Sequence, residues 1–366
     1  MRRTRFSILI IFKNERRGIV KTLDSVFSQT YPSGHVEVIC VNDNSIDGSE
    51  KLIKNYPIRL LRSKSTGISG ARNEGIKYCS GDVILFLDAH IYLQNSNTLK
   101  QIDKLFRSQK ETVGVCGEYY SVEEEDKNYV RDIRRSVLFG KNDKERFITL
   151  EAFTTWSIAI GAYKRTLFTD ITFPEGFNNS YGEDTYVQIK IHNKGHRLLY
   201  SPIVTGLHDA LLTDKQLINK MMLEIRATSN ILLQGADDTM NGQTIFLPYL
   251  HYFLSYPLGL VISIILLTIK FNIVFMFICT FFFFLETGPL LKIITIQKYN
   301  LGKRLFTLLY LITKEFVQVF YLPIYILSRT SNLNKLVYIG RQIVYWEYKK
   351  YIHFLRIEQI FQRMGI

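Results

Sequence analysis

Val83-Ile84-Leu85-Phe86-Leu87 is a run of five apolar residues, preceded by Gly81-Asp82 and ended abruptly by Asp88-Ala89-His90. A run so short and so uniformly apolar reads as a strand buried on both faces. That in turn requires a parallel sheet with helices covering both sides. Ligands of such sheets collect outside the carboxyl ends of the strands. Asp88 and His90 sit at that end and, two apart in an extended chain, point to the same side. A carboxylate and an imidazole so placed can hold a divalent cation beside a diphosphate. The plainer alternative is a strand-end cap and a loop histidine.

The segments before this run repeat its logic. Phe6 to Phe12 reads as a first strand with Asn14-Glu15 at its carboxyl end, and Gly18 to Phe27 has helical spacing. Arg2, Arg3 and Arg5 precede that first run, but it is too short for a secretory signal. Val36 to Val41 is a second strand, ending in Asn42-Asp43-Asn44-Ser45. A helix through Glu50, Leu52 and Ile53 and a short strand over Ile58 to Leu61 follow. The small-residue loop Gly67-Ile68-Ser69-Gly70-Ala71-Arg72-Asn73 then leads into a helix that runs to Tyr78. Strand and helix alternate throughout, which argues an α/β fold with a mostly parallel central sheet and helices on both faces. Asp43 read alone is turn chemistry, and Arg72 read alone is a surface arginine. All of these falling at one sheet edge is what argues for a site.

Ser7-to-Glu15, Val38-to-Ser49, Gly67-to-Ile76 and Val83-to-His90, in this order and spacing, resemble the nucleotide-sugar half of family 2 glycosyltransferases of the GT-A fold, over roughly residues 6–235. The resemblance implies that Asp43 meets the nucleotide base and that Arg72 lies near the base or diphosphate. Asn14, Glu15 and Asp88 complete the donor side. It also implies a metal, Mn²⁺ or Mg²⁺, where the family's usual Asp-x-Asp is here Asp88-Ala89-His90. His208, in Gly206-Leu207-His208-Asp209, is the expected third ligand, or else a structural histidine. The Gln-x-x-Arg-Trp motif of processive synthases is absent, which weighs against a cellulose-synthase-like polymerase.

Val113 to Tyr119 reads as a further strand. Tyr129 to Phe139 reads as a basic helix, and Tyr200 to Thr205 as the next strand, with His208 after it. Gly182-Glu183-Asp184 precedes a helical Thr185 to His192. Two carboxylates there can simply cap the helix and meet its dipole. Glycosyl transfer requires a base for the acceptor hydroxyl. The resemblance implies that Asp184 is that base and that Glu183 supports it. Trp156, on the segment matching the family's acceptor side, would stack on a sugar; otherwise it is a core tryptophan.

The 366 residues carry a formal charge of +13 and split into two unlike halves. Residues 1–235 read as the catalytic domain, and Gly235-Ala236-Asp237-Asp238 as a polar linker into a membrane region, 236–366. Phe246 to Ile269 is almost wholly apolar, and Phe271 to Leu285 is apolar again with Phe281 to Phe284 in sequence. Their lengths predict a transmembrane hairpin over 246–269 and 271–291. Leu305 to Leu327 is apolar but carries Lys314-Glu315, so it reads as interfacial or re-entrant, with a third span the alternative. The tail 335–363 mixes aromatic with basic residues, the pattern of a helix on an anionic lipid surface. The basic stretches place the catalytic domain on the cytoplasmic face of the cell membrane. The charge follows the membrane-like segments, so no nucleic-acid partner is expected. Cys40, Cys79, Cys116 and Cys279 have no zinc spacing and read as reduced thiols.

The expectation is therefore a membrane-anchored, metal-dependent glycosyltransferase using a UDP- or GDP-linked sugar and a lipid-linked acceptor, with inversion; retention stays open. The competing class is a non-catalytic nucleotide-binding subunit of a membrane polysaccharide export or assembly complex.

Overall fold

The computed structural model describes residues 3–65, 67–121, 144–148, 158–177, 182–209, 214–241, 301–336 and 338–339. The predicted hairpin, the Tyr129-to-Phe139 helix, Trp156, Cys279 and all of the tail beyond residue 339 lie outside these residues. The chain divides into two compact units, Met1–Tyr129 with Lys141–Ile218, and Val130–Gly140 with Asn219–Ile366.

The first unit is built on one sheet. Its strands are β1 (Phe6–Phe12), β2 (Val36–Asn42), β3 (Arg59–Arg62), β4 (Val83–Leu87), β5 (Ile91–Leu93), β6 (Thr112–Ser121), β7 (Arg146–Phe147), β8 (Ile160–Lys164) and β9 (Arg197–His208). They lie in the order β3-β2-β1-β4-β8-β6-β9-β5, with β7 on β9. β3, β2, β1 and β4 are all parallel, as their apolar runs imply. All five residues of β4 are buried. The other half is mixed. β8 joins β4 and β6 antiparallel, while β6 and β9 pair in parallel with register shifts.

The helices that position the site are α1 (Ile19–Phe27), α2 (Ser49–Leu52), α3 (Ile68–Ile76), α4 (Thr98–Ser108) and α5 (Glu183–Asn193). Ile19, Leu23 and Val26 of α1 and Leu99, Ile102 and Leu105 of α4 enter one core with Ile8, Ile10, Leu85 and Leu87. Gly18 lets α1 start hard against the end of β4: a Cβ there would lie 2.8 Å from the His90 Cα. Cys40, Cys79 and Cys116 are buried free thiols, and burial pushes each up to about 12.

Two boundaries differ from the sequence reading. β9 begins at Arg197 and includes His208, because it pairs on both sides: Ile91↔His208 and Ser121↔His208. The expected linker at 235–238 is instead part of α6 (Asp214–Met240), one unbroken helix. The small residues there face inward, Ala236 being fully buried, and Thr239 Oγ1 bonds back to the Gly235 carbonyl at 2.8 Å.

In the second unit, the part of α6 from Asn219 onward is joined to α7 (Leu301–Arg329) by side-chain hydrogen bonds. Arg226 Nε donates to the Tyr321 hydroxyl at 2.9 Å, and Lys335 pairs with Asp237. Among the described residues no helix is long and apolar enough to cross a membrane. α7 nevertheless leaves Leu301, Leu305, Phe306, Leu309, Ile324 and Leu327 exposed. At 3.6 residues per turn these six fall within an arc of about 140°. Thr307, Leu311 and Ile326 are buried on another arc.

Candidate active site

Three chain ends converge at the carboxyl edge of the parallel strands. The first is the end of β2. The Asp43 amide donates to the Phe12 carbonyl at 2.9 Å, and its side chain is almost fully buried. One carboxylate oxygen accepts from the Gly67 amide at 3.3 Å; the other faces Lys13 Nζ at 3.4 Å. Asp43 thus ties β2 to the start of α3. Gly67 takes φ +94° at that start, a region L side chains avoid. Asn14, at φ +56°, also acts locally. Its amide donates to Ser45 Oγ at 3.0 Å, and its Oδ1 accepts from the Ile46 amide at 2.9 Å.

The second is the end of β4. Same-side alternation of Asp88 and His90 does not hold, because the strand stops at Leu87 and the chain turns: the Ile91 amide donates to the Asp88 carbonyl at 2.9 Å. Asp88 Oδ1 lies 3.6 Å from Arg72 Nη2. His90 Nδ1 instead meets Glu15 Oε1 at 3.0 Å. The His90 ring stands edge-on to His208, centroids 4.6 Å apart, and His208 stacks on Tyr119 at 5.4 Å. Beside them Asp209, also buried, pairs with Lys21 and with Arg17 of the segment leading into α1.

The third is the start of α5. Gly182, at φ +105°, turns the chain so that Glu183 and Asp184 open the helix. Asp184 accepts from the Ile158 amide at 3.3 Å and from the Thr185 amide at 2.7 Å. Glu183 is buried and accepts from Arg72 Nη1 at 2.5 Å. Burial first, and the charge of Asp184 second, push its carboxyl up to about 7 against the pull of Arg72. Arg72 therefore stands between the β4 end and the α5 start.

A carboxylate with imidazole suits Mn²⁺ and, less well, Mg²⁺. Asp88 and His90 both retain side-chain exposure, 29% and 23%, and so fit as a partial ligand set. His208, the expected third ligand, stands with its ring beside that of His90. Among the described residues no three His, Cys, Asp or Glu side chains stand close enough together to hold an ion. His208 closes a strand that is paired on both sides, with Ile91 and with Ser121.

The structure thus brings Asp43, Arg72, Asp88, His90, Glu15, His208, Glu183 and Asp184 to one sheet edge. Lys13 on Asp43, Tyr119 under His208 and the Asp209 pair escaped the sequence reading. Lys13 alone had a signal, its place at the end of β1 beside Asn14-Glu15.

Residues 7–172 match the family model described as Glycosyl transferase family 2. Glycosyltransferase GlyA of Streptococcus pneumoniae is 24% identical over 212 residues, covering 54% of this chain and 29% of the relative. The Methanococcus voltae dolichyl N-acetyl-alpha-D-glucosaminyl phosphate 3-beta-D-2,3-diacetamido-2,3-dideoxy-beta-D-glucuronosyltransferase is 22% identical over 239 residues, 62% of this chain and 74% of that one. The solved mannosyltransferase PcManGT of Pyrobaculum calidifontis, in complex with GDP-Man and Mn²⁺, shares the fold: TM-score 0.55, 17% identity, 87% of this chain and 88% of that one. The chain thus spans under a third of GlyA's length. What this chain shares with glycosyl transferase family 2 is thus the match over residues 7–172, a little under half of its length.

Proposed function

We propose that the protein is a membrane-associated glycosyltransferase that moves a sugar from a UDP- or GDP-linked donor to a lipid-linked acceptor, with inversion. The observation that carries this reading is the convergence of Asp43, Asp88 and the Glu183-Asp184 pair at one edge of the parallel strands. Asp43 and Asp88 mark the donor side. Asp184, at the start of α5, takes the proton of the acceptor hydroxyl as its oxygen attacks the anomeric carbon and the diphosphate leaves with the electrons of its bond. Asp88 and His90 are the residues that would hold Mn²⁺ or Mg²⁺. Such an ion, when bound, supplies positive charge that stabilises the departing diphosphate.

Support for a nucleotide-sugar donor comes from the fold shared with PcManGT, which was solved with GDP-Man and Mn²⁺. Support for a lipid-linked acceptor comes from the name of the Methanococcus voltae relative, a transferase acting on a dolichyl-phosphate sugar. The exposed apolar arc of α7 and the formal charge of +13 fit a protein held at an anionic membrane face, with its catalytic domain on the cytoplasmic side.

The test uses the full chain in detergent micelles. Calorimetry with UDP- and GDP-sugars and Mn²⁺ should give near-parental donor affinity for Asp184→Asn. Its transfer to lipid-linked acceptors should be slower by at least about 100-fold, the size of a general-base contribution. Transfer at the parental rate would place the base elsewhere. A parent that binds donor yet transfers to no membrane extract would favour the non-catalytic subunit.

A further inference from the structure

The family resemblance puts Arg72 beside the nucleotide. Its surroundings suggest a different task. The side chain is only 5% exposed, which leaves little of it to offer a ligand. Its two terminal nitrogens serve different protein carboxylates: Nη1 meets Glu183 at 2.5 Å and Nη2 faces Asp88 at 3.6 Å. The planar fork of a guanidinium can do this, and the single ammonium of lysine cannot do it equally. The Phe173 ring lies 5.2 Å from the guanidinium carbon. The next residue grips the same strip of chain. Asn73 Nδ2 donates to the Phe173 carbonyl at 2.9 Å, its Oδ1 accepts from the Phe173 amide at 2.8 Å, and its Nδ2 also reaches Glu175 at 3.2 Å. Two consecutive residues of α3 thus hold Phe173, Glu175 and Glu183.

We propose that Arg72 is a positioning residue whose buried guanidinium, shared between Asp88 on the donor side and Glu183 beside the base, sets the spacing between bound donor and Asp184. This rests on the transferase reading above for its role in the reaction, but the clamp itself does not. A buried cation in this place is costly without the carboxylates around it, and removing one partner leaves the rest poorly compensated. A shift of α5 relative to the β4 end would leave one carboxylate unpaired. Small misplacements of a base cost rate far more than they cost binding.

The experiment takes the full chain with Arg72→Lys, Arg72→Met, Glu183→Gln and the double variant Arg72→Met/Glu183→Gln. Donor affinity is read by calorimetry with UDP- and GDP-sugars, transfer as kcat and KM, and stability as the unfolding midpoint. Arg72→Lys should leave donor Kd within roughly threefold of the parent and lower kcat by at least about tenfold. A rise of about tenfold in Kd or KM with kcat kept would mean that Arg72 contacts the donor, and would overturn the proposal. So would full rescue of kcat by lysine. On stability, Arg72→Met should lower the midpoint by roughly 5 °C or more, and the double variant should regain at least about half of that loss. Additive losses would overturn the clamp. Should the parent transfer nothing from any donor, the transferase reading falls. The stability cycle then still decides the clamp, coupling supporting it and additivity overturning it.

Discussion

Glu183 is a carboxyl group under two opposed influences, burial beside Asp184 and the guanidinium of Arg72. Burial prevails, so the folded protein holds the Glu183 proton up to about 7, against an ordinary 4.5. Between those two values the folded state binds more protons than the unfolded one, so stability falls as pH rises. This contribution is complete below pH 4.5 and lost as pH passes 7, a span of about 3 kcal/mol. Other carboxylates, Glu37 and Asp103 among them, are held below their ordinary values and pull the opposite way in acid. The difference between parent and Glu183→Gln in denaturant titrations from pH 4.5 to 8 isolates the group: it should slope with pH, and a flat difference would contradict the raised carboxyl. At this scale the sequence was half legible. Glu183-Asp184 stands out as two carboxylates opening a helical run. The partner of Glu183 does not, because it lies 111 residues away and nothing near Arg72 announces it. The orientation of His90 was also hidden, since a turn rather than an extended strand follows Leu87.

Strands β1, β2 and β4 were readable because each is an apolar run between polar stops. β8 was not: Ile160-Gly161-Ala162-Tyr163-Lys164 has two small residues and no run, and it is a strand because β4 and β6 flank it. β5 and β7, three and two residues long, fall below any periodicity. α7 shows the reverse case, a segment whose apolar run was evident while its continuity was not. Its exposed arc gives a prediction for the helix. In the full chain carrying Cys279→Ser and reconstituted in anionic vesicles, a fluorophore on Leu309→Cys should be quenched by brominated lipid at a depth of roughly 5–10 Å below the headgroups. The same label on Asn334→Cys, beyond the helix end, should be quenched much less. Equal, weak quenching at both would mean that the arc does not meet lipid.

Across the whole molecule the sequence reading separates a strand-helix half from an apolar, basic half near residue 235, whereas the two compact units part at Ile218 and the second also takes in Val130–Gly140. The earlier boundary has a physical cause. α6 is a single helix, and composition changes only near its end, so the polar residues at 235–238 mimic a linker while remaining helical. The runs at 246–291 lie outside the described residues, so their crossing is a matter for topology mapping. Two spans return a chain to its starting side. A reporter fused after Ile366 should therefore be found on the same side as one fused at Met1, and opposite sides would mean an odd number of crossings.

The Arg72–Glu183 bond also sets a clock on synthesis. At about 5–20 residues per second, the ribosome delivers Glu183 roughly 6–22 s after Arg72. The parallel strands β1 to β4 are all made before then, with Arg72 among them and one of its two counter-ions still missing. The Arg72 end of this sheet edge thus waits for Glu183, and a chain broken off before Glu183 carries a cation with an incomplete burial site. Such a fragment ends well before the apolar runs at 246–291 have been made.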